Sequence, residues 1–423
     1  MDSGGKAMNE ITRIEQALSS GANAKASIGS LLAKQRKNYS LQPEFYLSDE
    51  IYRLDIDKVL MPHWQCVNHV SAIPNAGDYL VFDYDRESVI VVRGADNEIR
   101  SFANVCRHRG SRICDTSGHA RGGMLICPYH AWSYGLDGSL AHARMMPRDF
   151  DKQGFGLKPL PTKVVQGLIF VSLSDAPLAF DDCEENINAT LGVYGWANAK
   201  VAYQSSVVFS ANWKLALENQ VECYHCAPSH PEFSVVHGQS TASERKLIAE
   251  MNAKAEAQGI RVETRDHWAL AALDGQEQAY SNRYPMTANA CTASKDGSPL
   301  APLMGEFKSY DNGMSVCYIG PMNHCLSYGD YGAIFRYTPK SLLETELAVV
   351  WLVREDAVEG KDYDRDDLTW MWRVTAGADK KIVEENQRGV SSRFYTPGPY
   401  ALPIEEKTVR FTEWYMSSLA NAL

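Results

Sequence analysis

Apolar positions near the start of the chain recur at helical spacing. Ile11, Ile14, Ala17 and Leu18 fall three and four residues apart and Gly21 follows, so residues 8–35 read as a helix. From about Tyr46 the period shortens. β-rich runs at Tyr79–Phe82 and Ser88–Val92 alternate with turn residues at Asn75–Asp78 and Gly94–Asn97. Trp132–Leu136, then Asp137-Gly138, then Ser139-Leu140 is the pattern of a tight hairpin, and Val164–Leu173 reads as one buried strand. A boundary falls at Asp175–Asp182. Beyond it Asn212–Cys226 reads as a helix, Ala333–Tyr337 and Glu346–Val353 as strands, and Asp366–Val374 and Asp379–Gln387 as two helices. Lys254–Gly259 and Gly275–Ser281 are less patterned and read as a mobile lid. The outline is α+β: a β-rich N-terminal domain and a larger mixed domain after it.

Composition adds limits rather than identity. A chain of 423 residues exceeds one ordinary core, which favours two domains. The formal charge of −10 argues against nucleic acid or an anionic membrane surface as partner. Met1–Leu18 has no apolar stretch with a basic flank, and the longest apolar runs, such as Leu347–Val353, are strand-sized. A cytoplasmic protein is expected. Ten cysteines in such a chain read as reduced thiols or metal ligands, not disulfides.

Four of these residues form a constellation. Cys106-Arg-His108 and Cys127-Pro-Tyr-His130 repeat one thiolate and one imidazole on each of two short arms. A Rieske [2Fe–2S] cluster needs this set, two Cys on one iron and two His on the other. Gly110 and Pro128 suit the tight loops that would carry them. Structural zinc is the rival, but zinc fingers pair Cys with Cys and place the histidines on a helix, whereas a hairpin follows here. Cys66, Cys114, Cys183, Cys291, Cys317 and Cys325 read as small buried hydrophobes. Cys223 and Cys226 make a CxxC that could carry redox or zinc chemistry, but they flank a more telling motif. In Cys106-Arg-His-Arg-Gly-Ser and Cys127-Pro-Tyr-His-Ala-Trp-Ser-Tyr the chain resembles the Rieske oxygenase family. The respiratory type of Rieske protein has an extra cysteine pair in these loops, where this chain has Ser111 and Tyr129.

The more telling motif is Asn212-Trp-Lys-Leu-Ala-Leu-Glu-Asn-Gln-Val-Glu222-Cys-Tyr-His225-Cys-Ala-Pro-Ser-His230. On one continuous helix, residues five apart point about 140° away from each other. Pro228 is expected to end the helix near His225 and let His230 swing back. Two imidazoles and one carboxylate make the facial triad of a non-haem iron(II) oxygenase. Candidates for the acid are Asp356, Asp362, Asp364, Asp366, Asp367, Asp379, Glu384 and Glu385. Asp379 is preferred as a residue at a helix start. The resemblance supports it, because the family's third ligand precedes a similar helix ending in the Gln387-Arg-Gly389 pattern. Glu222 stands three residues before His225 on the same helical face. In the family a carboxylate here bridges to a cluster histidine of a neighbouring subunit, and glutamate is similar to the branch acting on quaternary ammonium compounds. Asn219 is a further catalytic candidate on this segment.

The resemblance also implies an architecture: a helical arm over 1–40 packing on the catalytic domain, an all-β Rieske domain over 41–178, and a catalytic domain over 179–423 with a central antiparallel sheet flanked by helices. Trp351-Leu-Val-Arg-Glu-Asp-Ala-Val-Glu-Gly-Lys-Asp-Tyr-Asp and Tyr395-Thr-Pro-Gly-Pro-Tyr400 resemble the subgroup that N-demethylates betaines and related compounds. The implied reaction is O2-dependent hydroxylation of an N-methyl carbon with release of formaldehyde; the alternative is hydroxylation of an aromatic or heteroaromatic ring. Aromatic faces would hold the cation, and Trp268, Tyr284, Phe307, Tyr310, Tyr318, Tyr328 and Tyr331 lie in the region expected to build the pocket. Gly118–Met124 lacks the setting of a dinucleotide fingerprint, so electrons must come from a separate NAD(P)H-dependent flavin/iron–sulfur reductase. A homotrimer is implied by the family.

Overall fold

The computed structural model describes residues 26–238, 243–267 and 271–423. Residues 8–25 of the expected N-terminal helix lie outside the described residues; 26–34 are helical. Leu31 and Leu32 pack on the main core, Tyr39 bridges to Pro399, and the Ser40 amide donates to the Gly398 carbonyl at 2.9 Å. The arm is thus tied to the far end of the chain.

Two small antiparallel sheets follow. One has five strands in the order Gly118–His119, Asp78–Tyr84, Glu87–Arg93, Ile99–Ala103 and Pro159–Leu160; the other joins Met124–Ile126, Ser133–Gly135 and Leu140–His142. The expected hairpin across Asp137-Gly138 is present between the last two. Their shared core includes Ile90, Val92, Phe102, Leu125, Trp132 and Tyr134, and Cys106 and Cys127 are part of it. Trp64–His69 pairs with Leu168–Ser172, which pairs in turn with Thr162–Val165. The expectation of one strand over Val164–Leu173 is therefore corrected to a hairpin. Gln166 and Gly167 both have positive φ, 49° and 77°, which matches the twist of a two-residue hairpin turn. A Cβ on Gly167 would stand 2.0 Å from the His69 ring, so only glycine fits.

The larger unit is built on a seven-stranded antiparallel sheet. Its strands are β1 (Ala199–Phe209), β2 (Arg265–His267), β3 (Ala279–Pro285), β4 (Gly313–Ile319), β5 (Asn323–Ser327), β6 (Gly332–Ser341) and β7 (Glu344–Arg354), in the order β1-β7-β6-β5-β4-β3-β2. Successive side chains on a strand face opposite ways. Cys317, Ile319, Cys325, Ile334 and Leu352 pack with Ile187 and Leu191 of the helix Asp181–Leu191 on one face. Val316, Tyr318, Leu326, Phe335 and Tyr337 face the other, where Leu368 and Trp372 pack. Both faces are covered, so β4 and β5 are buried along their whole length.

Two expectations change here. Asp366–Val374 and Asp379–Gln387 are parts of one helix, α2 (Arg365–Val390), whose start is capped by Asp364 accepting from the Asp367 amide. The small residues Thr375-Ala-Gly-Ala interrupt the apolar pattern without breaking the helix. Asp379 is consequently mid-helix, not at a helix start. The expected lid is also largely regular: Lys254 lies in the helix Glu244–Glu256, after which Gly259 adopts positive φ, and Ala279–Ser281 belong to β3. No helix among the described residues is long and apolar enough to cross a membrane.

Candidate active site

Helix α1 (Trp213–Gln220) begins where the Asn212 side chain accepts from the Lys214 amide, and most of it is buried. It ends at Gln220, not near Cys226 as expected, and the physical reason is local. The Glu222 carboxylate takes the backbone amides of Tyr224 and His225, donors that a continuing helix would give to the Gln220 and Val221 carbonyls. Pro228 therefore does not end the long helix; it sits inside a single turn, Cys226–Ser229. His230 then leaves helical geometry (φ −130°, ψ 67°) and Pro231 opens the helix Pro231–Val236. Cys223 and Cys226 are joined as a disulfide, against the expectation that all cysteines are reduced or bind metal. The turn brings their Cα atoms to 4.9 Å, well within bonding range.

This turn brings His225 and His230 together over the middle of α2. One ligand atom from each of His225, His230 and Asp379 lies within 4.8 Å of the others. Asp379 Oδ1 is 2.8 Å from His230 Nε2 and 3.3 Å from His225 Nε2. Glu222 Oε1 holds His225 Nδ1 at 2.5 Å, which leaves Nε2 turned towards the triad. Asn219 Nδ2 is 3.3 Å from that same Nε2. Burial alone would lower the His225 pKa, but hydrogen bonds to Asp379 and Glu222 overcome it and hold the value up at about 9. Burial would raise the Asp379 carboxyl, and the two histidines hold it below its ordinary value instead. These groups fit a divalent cation: two imidazole Nε2 atoms and one carboxylate oxygen converge, and a second carboxylate fixes one ring from behind. His230 Nδ1 is buried with no hydrogen-bond partner, and Glu232 Oε1 stands 3.8 Å away.

The other acids weighed from sequence are occupied elsewhere. Asp356 pairs with Arg354, Asp362 accepts from the Val358 amide, Asp364 caps α2, and Asp366 pairs with Arg373. Asp367 binds Lys295, Glu384 binds Lys380, and Glu385 binds Arg388.

Cys106, His108, Cys127 and His130 come together on two facing loops of one design. The Gly110 amide bonds to the Cys106 carbonyl and the Ala131 amide to the Cys127 carbonyl, and both Gly110 and Ala131 have positive φ. The rings of His108 and His130 are 4.7 Å apart, and His108 stacks on Trp132 at 4.8 Å. Tyr134 Oη lies 3.2 Å from Cys106 Sγ. The cysteines are buried while His108 is exposed, so the thiolate end of the set faces inwards. Gly110 and Pro128 were legible as turn residues; Ala131 was not, because alanine carries no turn signal.

A cavity of about 330 Å³ opens over the triad. Its walls come from β4–β6 and α2, with Tyr318, His324, Phe335, Tyr337 and Trp372 as aromatic surface. His324 stacks on Phe335 at 4.4 Å, and burial lowers its pKa to about 3, so it is neutral. Of the aromatics expected from sequence, Tyr284 and Tyr318 line the cavity. Phe307, Tyr310, Tyr328 and Tyr331 do not, although the Tyr331 hydroxyl accepts from the Trp372 indole behind the wall. Trp268 lies outside the described residues. Sequence reasoning missed Phe335, Tyr337 and Trp372, although Ala333–Tyr337 was read as a strand and Asp366–Val374 as helical. The missing signal was parity, since 316/318, 324/326 and 335/337 share one sheet face.

Residues 63–162 match the model of the Rieske [2Fe–2S] domain, and residues 196–421 match that of the ring hydroxylating alpha subunit (catalytic domain). The chain belongs to the Rieske non-haem iron oxygenase alpha subunits. Members of this family are oxidoreductases that carry a [2Fe–2S] cluster and a mononuclear iron and draw electrons from a separate reductase. This alpha subunit is 35% identical to the glycine betaine monooxygenase oxygenase subunit of Pseudomonas aeruginosa (strain UCBPP-PA14), over 95% of this chain and 94% of that one. The carnitine monooxygenase oxygenase subunit of Escherichia coli (strain K12) is 33% identical over 48% and 55% of the two chains. Among solved structures, a quaternary ammonium Rieske monooxygenase studied for carnitine oxidation by gut microbiota superposes with a TM-score of 0.70 at 23% identity, over 92% and 97%. Naphthalene 1,2-dioxygenase from Rhodococcus has the same fold, with a TM-score of 0.61 at 18% identity over 90% and 94%.

Proposed function

We propose that this oxygenase subunit hydroxylates an N-methyl carbon of a small quaternary ammonium compound of the betaine type. The reaction takes O2, two electrons and two protons; one oxygen atom enters the C–H bond and the other leaves as water. The hemiaminal so formed breaks its C–N bond to give formaldehyde and the demethylated amine. One observation carries the reading: the His225–His230–Asp379 triad lies under a small cavity walled by aromatic rings. About 330 Å³ is at the lower end of ligand pockets, which suits a compact cation rather than a fused ring system. The names of the glycine betaine and carnitine relatives support the same choice.

Each group then has a role. Cys106 and Cys127 hold one iron of the cluster and His108 and His130 the other. His225, His230 and Asp379 hold the mononuclear iron, which supplies activation of O2 when bound. Glu222 orients His225 and bridges towards the cluster of a neighbouring subunit in a homotrimer, and Asn219 steadies the triad from the α1 side. Of the expected arm over 1–40, the described residues 26–40 lie on the catalytic domain; 41–178 serve as the Rieske domain and 179–423 as the catalytic domain, in a cytoplasmic enzyme.

Purified oxygenase with a reductase and NADH, offered betaines, carnitine and simple aromatics, should release formaldehyde in step with NADH oxidation for a quaternary ammonium compound. Hydroxylated ring product without formaldehyde would replace this reading with ring oxygenation.

A further inference from the structure

One charged group of the cavity has no part in the chemistry above. Lys407, in the first turn of the helix α3 (Glu406–Ala422), lines the same space as the triad and is the sole lysine or arginine among the described residues that do so. Its ammonium lies 4.8, 5.4 and 5.9 Å from the ring centres of Tyr280, Tyr284 and Tyr318. It donates to the Tyr284 hydroxyl at 2.9 Å. A lysine has three N–H donors, and no carboxylate of the described residues pairs with this one. The acids nearby are engaged: Glu406 with Arg410 at 3.1 Å, Glu222 with His225 and Asp379 with His230. Lys407 is therefore a half-buried cation held in place by three rings, with donors to spare.

The cavity is thus polarised. From Tyr318 an aromatic wall runs through His324 and Phe335 to Trp372, with successive ring centres 5.4, 4.4 and 5.2 Å apart. Lys407 fills the tyrosine cage at the Tyr318 end. Trp372 shares α2 with Thr375, Ala376 and Asp379, which places the other end at the triad. A substrate cation is repelled from the first end by Lys407 and is favoured along the aromatic faces that run towards the second. An anionic group is drawn the opposite way.

We propose that Lys407 determines specificity by receiving the carboxylate of a zwitterionic substrate, so that its N-methyl end points at the triad. This rests on the quaternary ammonium reading and narrows it to compounds whose cation and carboxylate lie at opposite ends.

The test uses the full-length iron-loaded oxygenase with a reductase, and matched pairs of a trimethylammonium carboxylate and its alcohol, glycine betaine and choline first, then longer homologues. Formaldehyde gives kcat/KM for each, and the ratio within a pair measures carboxylate recognition. Lys407→Gln is expected to lower that ratio about ten- to a hundredfold, mainly through KM of the carboxylate, as expected for losing a charge-assisted hydrogen bond in a partly buried site. Lys407→Arg should keep most of the ratio, which a merely structural role would not explain. Cluster absorbance and iron content verify that each variant is folded. An unchanged ratio in Lys407→Gln, or a wild-type enzyme with no preference for the carboxylate of any pair, overturns the inference and leaves N-demethylation standing. Formaldehyde from no quaternary ammonium compound overturns both.

Discussion

At the residue scale the site is a set of charges that explain one another only around a cation. Asp379 and Glu222 both lean on His225, and Asp379 also holds His230. Asp379→Ala should reduce the iron content from about three to two per chain while the cluster's visible spectrum stays intact, as metal analysis beside absorbance would register. Glu222→Gln should leave all irons bound and slow the transfer of electrons from the cluster, seen in single-turnover kinetics. Glu218, four residues before Glu222, behaves differently. It is buried against the Tyr46 hydroxyl, and burial pushes its pKa up to about 7. An acid whose folded pKa exceeds its unfolded value keeps its proton better when folded, so stability is greatest below pH 4.5 and falls as pH rises to 7. The loss is about 3 kcal/mol. Between pH 5 and 8 the wild-type melting temperature should therefore fall further than that of Glu218→Gln. Cys106, His108, Cys127 and His130, like His225 and His230, stood out in sequence because their spacing follows ligand chemistry, and the fold brings each set together. Lys407 was not, since a lone lysine on a surface helix has no sequence signature.

At the element scale, α2 carries most of what the sequence concealed. Thr375-Ala-Gly-Ala looked like a gap between two helices because small residues contribute no apolar period. In the folded chain they are small for another reason: Thr375 and Ala376 border the cavity directly before Asp379. Bulk at this point would occupy the space above the triad. Ala376→Phe should lower kcat/KM about a hundredfold or more with iron content and cluster absorbance unchanged, because a phenyl group cannot be accommodated without displacing neighbours. Of the pocket strands, β6 was legible over Ala333–Tyr337, while β4 and β5 went unread; the face each residue presents depends besides on pairing register, and β-bulges at Val201/Tyr203 and Pro339/Ser341 shift that register within the same sheet. The early end of α1 was equally hidden. It depends on a side chain, Glu222, competing for backbone amides, which periodicity does not record.

At the scale of the whole molecule, two centres must exchange electrons, and the fold turns one of them outwards. His108 is exposed and Tyr129, on the facing loop beside His130, is 55% exposed, so the imidazole end of the four-residue set faces away from its own chain. On the catalytic side, a second cavity lined by Asn219, Glu222, His225, Pro399 and Tyr400 approaches the triad from behind His225. The pairing of an outward donor with an approach to the acceptor's rear is what a closed head-to-tail ring requires, each subunit's cluster serving the next subunit's iron. This arrangement can be told from transfer within one chain by mixing two inactive variants. His108→Ala removes the cluster end and His225→Ala the iron end. Co-assembled in equal amounts, a cluster of one variant meets an iron of the other at about a quarter of the sites if electrons cross between subunits. Formaldehyde release near that fraction of wild type would follow from the inter-subunit path. Mixed oligomers, verified by mass, that stay inactive would place the electron path within the single chain and remove Glu222 from its bridging role.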